Sequence, residues 1–229
     1  MEWWVYGILF LGIIIMGYTV APNFYVRNIS KSIKHKLDAP EKLIALTFDD
    51  GPDERYTNEV LDILKEHNVK ATFFVVARKV EKNKDIIHRM KAEEHEIGLH
   101  TLNHKSAWLM GPVKTLKEIK EAKIILENEG IELKYYRPPW GTFNLFTLIS
   151  ASKNKLKTIL WSVNAYDWRK NNSPDKISKT LLDRIEKQSI IVLHDSGGAK
   201  LAPYNTIGAL KRVIPILLEK GYKFVSVDK

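Results

Sequence analysis

Short β-rich runs alternate with amphipathic helical runs from about residue 42 onward, and this alternation limits the possible folds more than any other feature of the sequence. The candidate strands are 43–48, 71–76, 96–99, 134–136, 157–163, 189–193 and 223–227. Candidate helices fall between them at 57–68, 84–94, 112–129, 145–153, 174–187 and 206–220. The helical runs repeat apolar residues at spacings of three and four, as in Val60, Leu61 and Leu64 or Ile119, Ala122, Ile125 and Leu126. Pro112 and Pro174 suit first-turn positions, and Gly130 and Gly221 suit helix stops. Strand–helix alternation builds βα units on a mainly parallel sheet. The count of seven strands lies close to the eight of a TIM barrel, so the expected class is α/β, a TIM-like barrel, with no internal repeat and no second domain.

Ahead of the barrel lies a different kind of segment. Residues 3–20 form an 18-residue run without a charge, and the next charge is Arg27. That length crosses or nearly crosses a bilayer core. Trp3, Trp4 and Tyr18 stand where interfacial aromatics sit. A buried core helix would show a polar face, and this run has none. Only the terminal amine and Glu2 precede it, and the best cleavage candidate, Thr19-Val20-Ala21, is followed by Pro22, which blocks the peptidase. The reading is a retained N-terminal transmembrane anchor (or uncleaved signal) over residues 1–26, a linker over 27–41 and a catalytic domain over 42–229. Arg27, Lys31, Lys34 and Lys36 follow the span, and the positive-inside rule would keep that side cytoplasmic. The chemistry below argues instead for a single-pass cell-membrane protein with its domain outside, or a secreted one if the segment is cleaved.

The net charge is +9, from 36 basic and 27 acidic residues, which favours an anionic partner. No basic recognition helix is present, which argues against nucleic acid. The sequence holds no cysteine, so disulfides, thiolate metal sites and a Cys nucleophile are excluded. Nothing in the sequence fixes the oligomeric state.

In βα folds the working face lies at the C-terminal ends of the strands. Here those positions are occupied by Asp49-Asp50-Gly51-Pro52, by His100 through His104, by Arg137-Pro138-Pro139-Trp140-Gly141, by Asn164 through Trp168, and by His194-Asp195. Scattered surface polar residues would not fall into this register.

His100 and His104 are four apart, so on a turn of helix both imidazoles face the same way. Two histidines with one carboxylate make a three-ligand metal site with a position open to water, although an isolated pair of this kind is often structural. Asp49 and Asp50 would repel if buried together, unless a cation holds one and an arginine steadies the other. The same Asp-Gly-Pro also ends a strand into a turn. His194 follows an apolar strand, where a histidine is either a satisfied core residue or, on this face, a general acid; Asp195 reads as a turn cap. Arg137 precedes two prolines and is held extended, aimed at a carboxylate or at a surface ion pair. Trp140 and Trp168 read equally as core or as walls for a sugar ring or an acetyl methyl. Trp108 and Trp161 read as packing, and His35, His67, His88 and His95 as solvated or locally bonded.

The segments Thr47-Phe48-Asp49-Asp50-Gly51-Pro52, His100-Thr101-Leu102-Asn103-His104 and Arg137-Pro138-Pro139-Trp140-Gly141 resemble, in order, the first three motifs of the polysaccharide deacetylases of carbohydrate esterase family 4. The resemblance runs from about Lys42 to Val227. It implies a distorted (β/α)7 barrel that deacetylates chitin oligomers, peptidoglycan or acetylated xylan. It further implies Asp49 as general base, Asp50, His100 and His104 as ligands of one divalent metal, and Arg137 as the group orienting Asp49. The Trp140 backbone N–H would stabilise the oxyanion, Asp167 would tune His194 as general acid, and Trp168 would line the pocket. Two positions depart from the pattern: Asn164 stands where an Asp is frequent, and Val192 where a Leu is frequent.

These residues together lead to an expectation of metal-dependent hydrolysis of N-acetyl groups on a cell-wall polysaccharide, either peptidoglycan or a chitin-type oligomer. The metal would be Zn2+, with Co2+, Mn2+ or Ni2+ also compatible with the donor set. The rival readings are an O-acetyl esterase on the same framework, a catalytically inactive glycan-binding barrel, and an iron oxygenase.

Overall fold

The structure, a computed structural model, describes residues 3–39 and 41–227. Met1, Glu2, Pro40, Asp228 and Lys229, over which the anchor, linker and domain boundaries partly run, lie outside the described residues.

The strands are β1 Leu43–Asp49, β2 Thr72–Val75, β3 Glu96–Leu99, β4 Tyr135–Tyr136, β5 Lys157–Thr158, β6 Val163–Asn164, β7 Ile190–His194 and β8 Lys223–Phe224. They form one eight-stranded sheet in the order β5-β4-β3-β2-β1-β7-β6, with β8 paired to the start of β1. Every strand pairing among the described residues is parallel, with an isolated antiparallel bridge joining Lys36 to Ser189 beside β7. Around this curled half-barrel lie α3 Thr57–Glu66, α4 Ala77–Val80, α5 Lys84–Ala92, α6 Pro112–Asn128, α7 Leu145–Lys153, α8 Pro174–Arg184 and α9 Ala202–Glu219, in the (β/α)7 manner. Ahead of them, α1 Trp3–Ile15 and α2 Ala21–Asn28 are joined by a π-helical turn at Met16–Val20.

The patterning explains the layers. β1 is buried on both faces beyond its first residue, as an apolar central parallel strand must be. α3 turns Val60, Leu61 and Leu64 inward, and α9 does the same with Leu210, Val213 and Leu217. These side chains meet Phe48, Phe73 and Leu193 in one continuous core.

The expected strand at 157–163 is two strands, and they lie at opposite edges of the sheet. Residues 159–162 carry the chain across the opening between them, so the ladder is interrupted for a topological reason that local propensity does not contain. Arg137 closes this seam from inside. It donates from Nε to Ile159 O at 3.2 Å and from Nη2 to Leu160 O at 3.0 Å, satisfying carbonyls at the break.

The stretch expected as a linker closes the seam from outside. Lys34 N–H donates to Thr158 O at 3.2 Å, Leu160 N–H donates to Lys34 O at 2.8 Å, and Leu37 N–H donates to Gln188 O at 2.8 Å. Ile33 and Leu37 are buried. Val26 of α2 joins Ile33, Phe143 and Leu160 in a small cluster of its own. The segment therefore packs as a strap.

Residues 3–28 form one helix long and apolar enough to cross a membrane, with none of its most apolar window buried.

Candidate active site

Register brings the strand-end residues together. β1 and β7 pair so that Asp49 lies directly beside His194. Leu99 pairs with Tyr136, which sets His100 and Arg137, the next residue on each strand, side by side. The result is a cavity of about 340 Å³ lined by Asp49, Asp50, His100, His104 and His194, with Trp140 and Trp168 at its walls. Its size is that of a small-molecule binding cavity.

The side-chain donor atoms of Asp50, His100 and His104 lie within 4.8 Å of one another. Asp50 Oδ1 stands 2.8 Å from His104 Nε2 and 3.4 Å from His100 Nε2. The His100 Nδ1 faces the Arg137 carbonyl at 2.7 Å. A carbonyl only accepts, so Nδ1 carries the proton and Nε2 points a lone pair at Asp50. Asp50 Oδ1 is buried and has no hydrogen-bond donor. An anionic oxygen facing an imidazole lone pair is stable with a cation between them, and the trio fits a divalent metal on that ground.

The backbone route to this trio differs from the helical turn expected for residues 100–104. The segment is irregular, with Thr101 at φ +70° and His104 at φ +53°. A β-branched residue in the left-handed region is a strained feature. Asp50 at φ +75° and Trp140 at φ +55° share the conformation, so several of the groups facing the cavity sit on backbone that sequence periodicity does not foresee.

Asp49 is held by Arg137, whose Nη1 donates to Asp49 Oδ1 at 2.7 Å and to Thr47 Oγ1 at 2.7 Å. The guanidinium is fully buried and stacks over Phe74 at 4.1 Å and Trp161 at 5.6 Å. Trp161, expected as packing only, also lines the cavity.

On the opposite wall Asp167 Oδ1 meets His194 Nδ1 at 2.9 Å, and its Oδ2 accepts from His194 N–H at 2.8 Å and from Thr206 Oγ1 at 2.8 Å. His194 Nε2 is left for the cavity. Burial would lower the imidazole pKa, but the charge and hydrogen bond of Asp167, with Asp50 and Asp49 behind, push it up to about 9.

Trp140 is 59% exposed on the rim, with its ring 4.5 Å from that of His104. Trp168 lies on the far side with Arg169 over its ring at 5.2 Å. Asn164 Oδ1 accepts from Tyr166 N–H at 2.6 Å and thereby braces the loop that carries Asp167. Val192 faces the cavity.

Asp195 does not cap a turn. It is buried beneath the Asp50-Gly51 turn, accepts from Thr57 Oγ1 at 2.6 Å, and is pushed up to about 7 by that burial. A Cβ at Gly51 would lie 2.3 Å from its carboxylate, which is why the turn holds glycine.

Three supports escaped the sequence reading. Lys79 Nζ donates to Asp50 O at 2.8 Å and to Ser196 Oγ at 2.7 Å. Thr206 holds Asp167. Gly197, at φ +74°, leaves room that a Cβ would fill 2.6 Å from Asp50 Oδ2. Each acts across a long sequence separation, and no local signal marks them.

Residues 36–159 match the family model described as polysaccharide deacetylase. A peptidoglycan-N-acetylglucosamine deacetylase of Bacillus cereus is 35% identical over 191 residues, covering 82% of this chain and 88% of its own. A chitooligosaccharide deacetylase of Sinorhizobium fredii is 33% identical, over 90% of this chain and 97% of its own. The crystal structure of a peptidoglycan N-acetylglucosamine deacetylase in complex with 4-naphthalen-1-yl-N-oxidanyl-benzamide superposes with a TM-score of 0.80 at 34% identity, covering 86% of this chain and 91% of its own.

Proposed function

The chain belongs to the polysaccharide deacetylase family, and on that premise we propose that it hydrolyses N-acetyl groups of a cell-wall polysaccharide, releasing acetate and leaving a free amine. One observation carries the proposal: a His–His–Asp donor set lies in one cavity with Asp49 fixed by Arg137 and His194 fixed by Asp167.

Asp50, His100 and His104 would hold one divalent metal, with Zn2+ preferred and Co2+, Mn2+ or Ni2+ compatible. When bound, it would polarise the acetamide carbonyl and make water a better nucleophile. Asp49, aimed by Arg137, takes a proton from the attacking water. The Trp140 backbone N–H donates to the carbonyl oxygen as it becomes anionic. His194, protonated at neutral pH, gives the Nε2 proton to the amide nitrogen as the carbon–nitrogen bond breaks. Trp140 and Trp168 flank the sugar.

Peptidoglycan is the favoured polymer, ahead of chitin-type oligomers. The relatives are named for peptidoglycan and for chitooligosaccharides, and the apolar N-terminal helix and the +9 charge suit an anionic wall at a membrane. On this reading residues 1–26 anchor the chain, 27–41 follow as the connecting segment, and the catalytic domain over 42–229 works outside the cell membrane against the charge rule.

The test is acetate release by the full chain from peptidoglycan, from N-acetylglucosamine oligomers and from acetylated xylan, with and without chelator. Chelator-sensitive release from either of the first two supports the proposal. Release only from acetylated xylan would turn the reading to an O-acetyl esterase.

A further inference from the structure

The apolar helix joins the domain without a free spacer. Its uncharged residues 3–20 extend about 27 Å at about 1.5 Å per residue, close to the roughly 30 Å of a bilayer core. Tyr18 then stands at the depth of interfacial aromatics. Its hydroxyl donates to Met110 O at 2.8 Å, and its ring meets Phe146 at 6.3 Å. Beyond it, Asn23 donates to Phe143 O at 2.6 Å and accepts from Phe143 N–H at 3.1 Å. Arg27 Nη2 reaches Gly141 O at 3.2 Å. These contacts fix one face of the domain to the end of the helix.

That face is apolar and open. Trp108 and Leu109 immediately precede Met110, and Val113 follows in the first turn of α6; Leu109 is 83% and Val113 80% exposed. Lys105 and Lys114, both exposed, flank them. Apolar side chains bordered by lysines match the interface of a bilayer containing anionic lipid.

We propose that Trp108, Leu109 and Val113 are seated in the headgroup layer beside the span, holding the mouth of the cavity at the membrane surface. The inference rests on residues 3–20 spanning a membrane. Arg27 lies seven residues past Val20, about 10 Å along the helix, so Gly141 and the adjoining Trp140 stand on the order of 10 Å beyond the hydrocarbon edge. The glycan within reach is therefore the one at the bilayer surface, such as a lipid-tethered or newly exported strand, and not the distant wall.

The chain has no cysteine, so single-cysteine variants can be spin-labelled without background. Full chains carrying Ile8→Cys, Leu109→Cys, Val113→Cys or Lys187→Cys are reconstituted in vesicles containing phosphatidylglycerol. Collision with oxygen and with a water-soluble nickel chelate then reads depth. Labels at 109 and 113 are expected at headgroup depth, at 8 in the hydrocarbon, and at 187, beside the opposite end of β7, in water. If 109 and 113 match 187 while 8 reads as hydrocarbon, the span stands and the seat is overturned. If 8 reads as water, the span fails and the seat with it. Shielding of 109 by N-acetylglucosamine oligomers, with no contact to lipid, would make the patch a glycan surface and overturn the seat. None of these readings uses activity, so they are independent of the proposed reaction.

Discussion

Arg137 Nη1 lies 2.7 Å from Asp49 Oδ1, and the same guanidinium closes the seam of the barrel through Ile159 O and Leu160 O. One buried fork thus holds the wall of the fold and the aspartate at its centre. Lysine keeps the charge but not the fork. Arg137→Lys should remain folded and lose on the order of 10²-fold in turnover, as expected for a misplaced reacting group. Arg137→Ala should also lose roughly 3–5 kcal/mol of stability, because Asp49 would be left buried without a partner. Thermal unfolding and steady-state kinetics separate the two effects.

The His194–Asp167 pair sets a pH dependence. The His194 pKa is raised from its ordinary 6.5 to about 9, so the imidazolium, the form the proposed acid role requires, is populated at neutral pH and lost as pH rises through about 9. The pair's contribution to stability is fully present below 6.5 and lost over the same rise. Asp167→Asn should move the alkaline limb of the turnover profile down toward 6.5, with a smaller change in KM. A limb that stays where it was would remove His194 as the acid.

Gly197 borders Asp50 so closely that an added Cβ would come within 2.6 Å of Oδ2. Gly197→Ala should weaken metal binding by about 10–100-fold, as loss of an orienting neighbour does. A competition titration against a chelator reads the affinity directly, and saturating metal should recover part of the activity.

Much of this was legible in the sequence because it is locally encoded. The 43–48, 96–99 and 189–193 runs carry their own apolar patterns, and their C-terminal neighbours Asp49, Asp50, His100 and His194 inherit one face from strand direction alone. What escaped was fixed by distant partners. The break of 157–163 into β5 and β6 follows from closing a ring. The approach of His104 to Asp50 depends on positive φ at Thr101 and His104, not on helical spacing. Lys79, Thr206 and Asp195 act through bonds spanning tens to more than a hundred residues. The polar stretch after residue 30 looks like a spacer because its few apolar residues, Ile33 and Leu37, show their purpose only against Leu160 and Ile190.

Phe143 is fully buried against Val26, Ile33 and Leu160. Phe143→Ala should cost about 3–5 kcal/mol by leaving a cavity there. Removing residues 21–28 should lower the melting temperature comparably, because it strips Val26 and the Asn23 bonds from the same cluster. An unchanged melting temperature after that deletion would show that α2 does not dock.

The central claim is that Asp49 is the base in a metal-assisted deacetylation. Its most direct test is acetate release by Asp49→Asn under conditions where one metal per chain is demonstrably bound. The variant is isosteric, and Asp50, His100 and His104 are untouched, so metal binding should persist. Turnover should fall by about 10²–10⁴-fold, the usual worth of a positioned general base. Substantial acetate release by the metal-loaded variant would contradict the account.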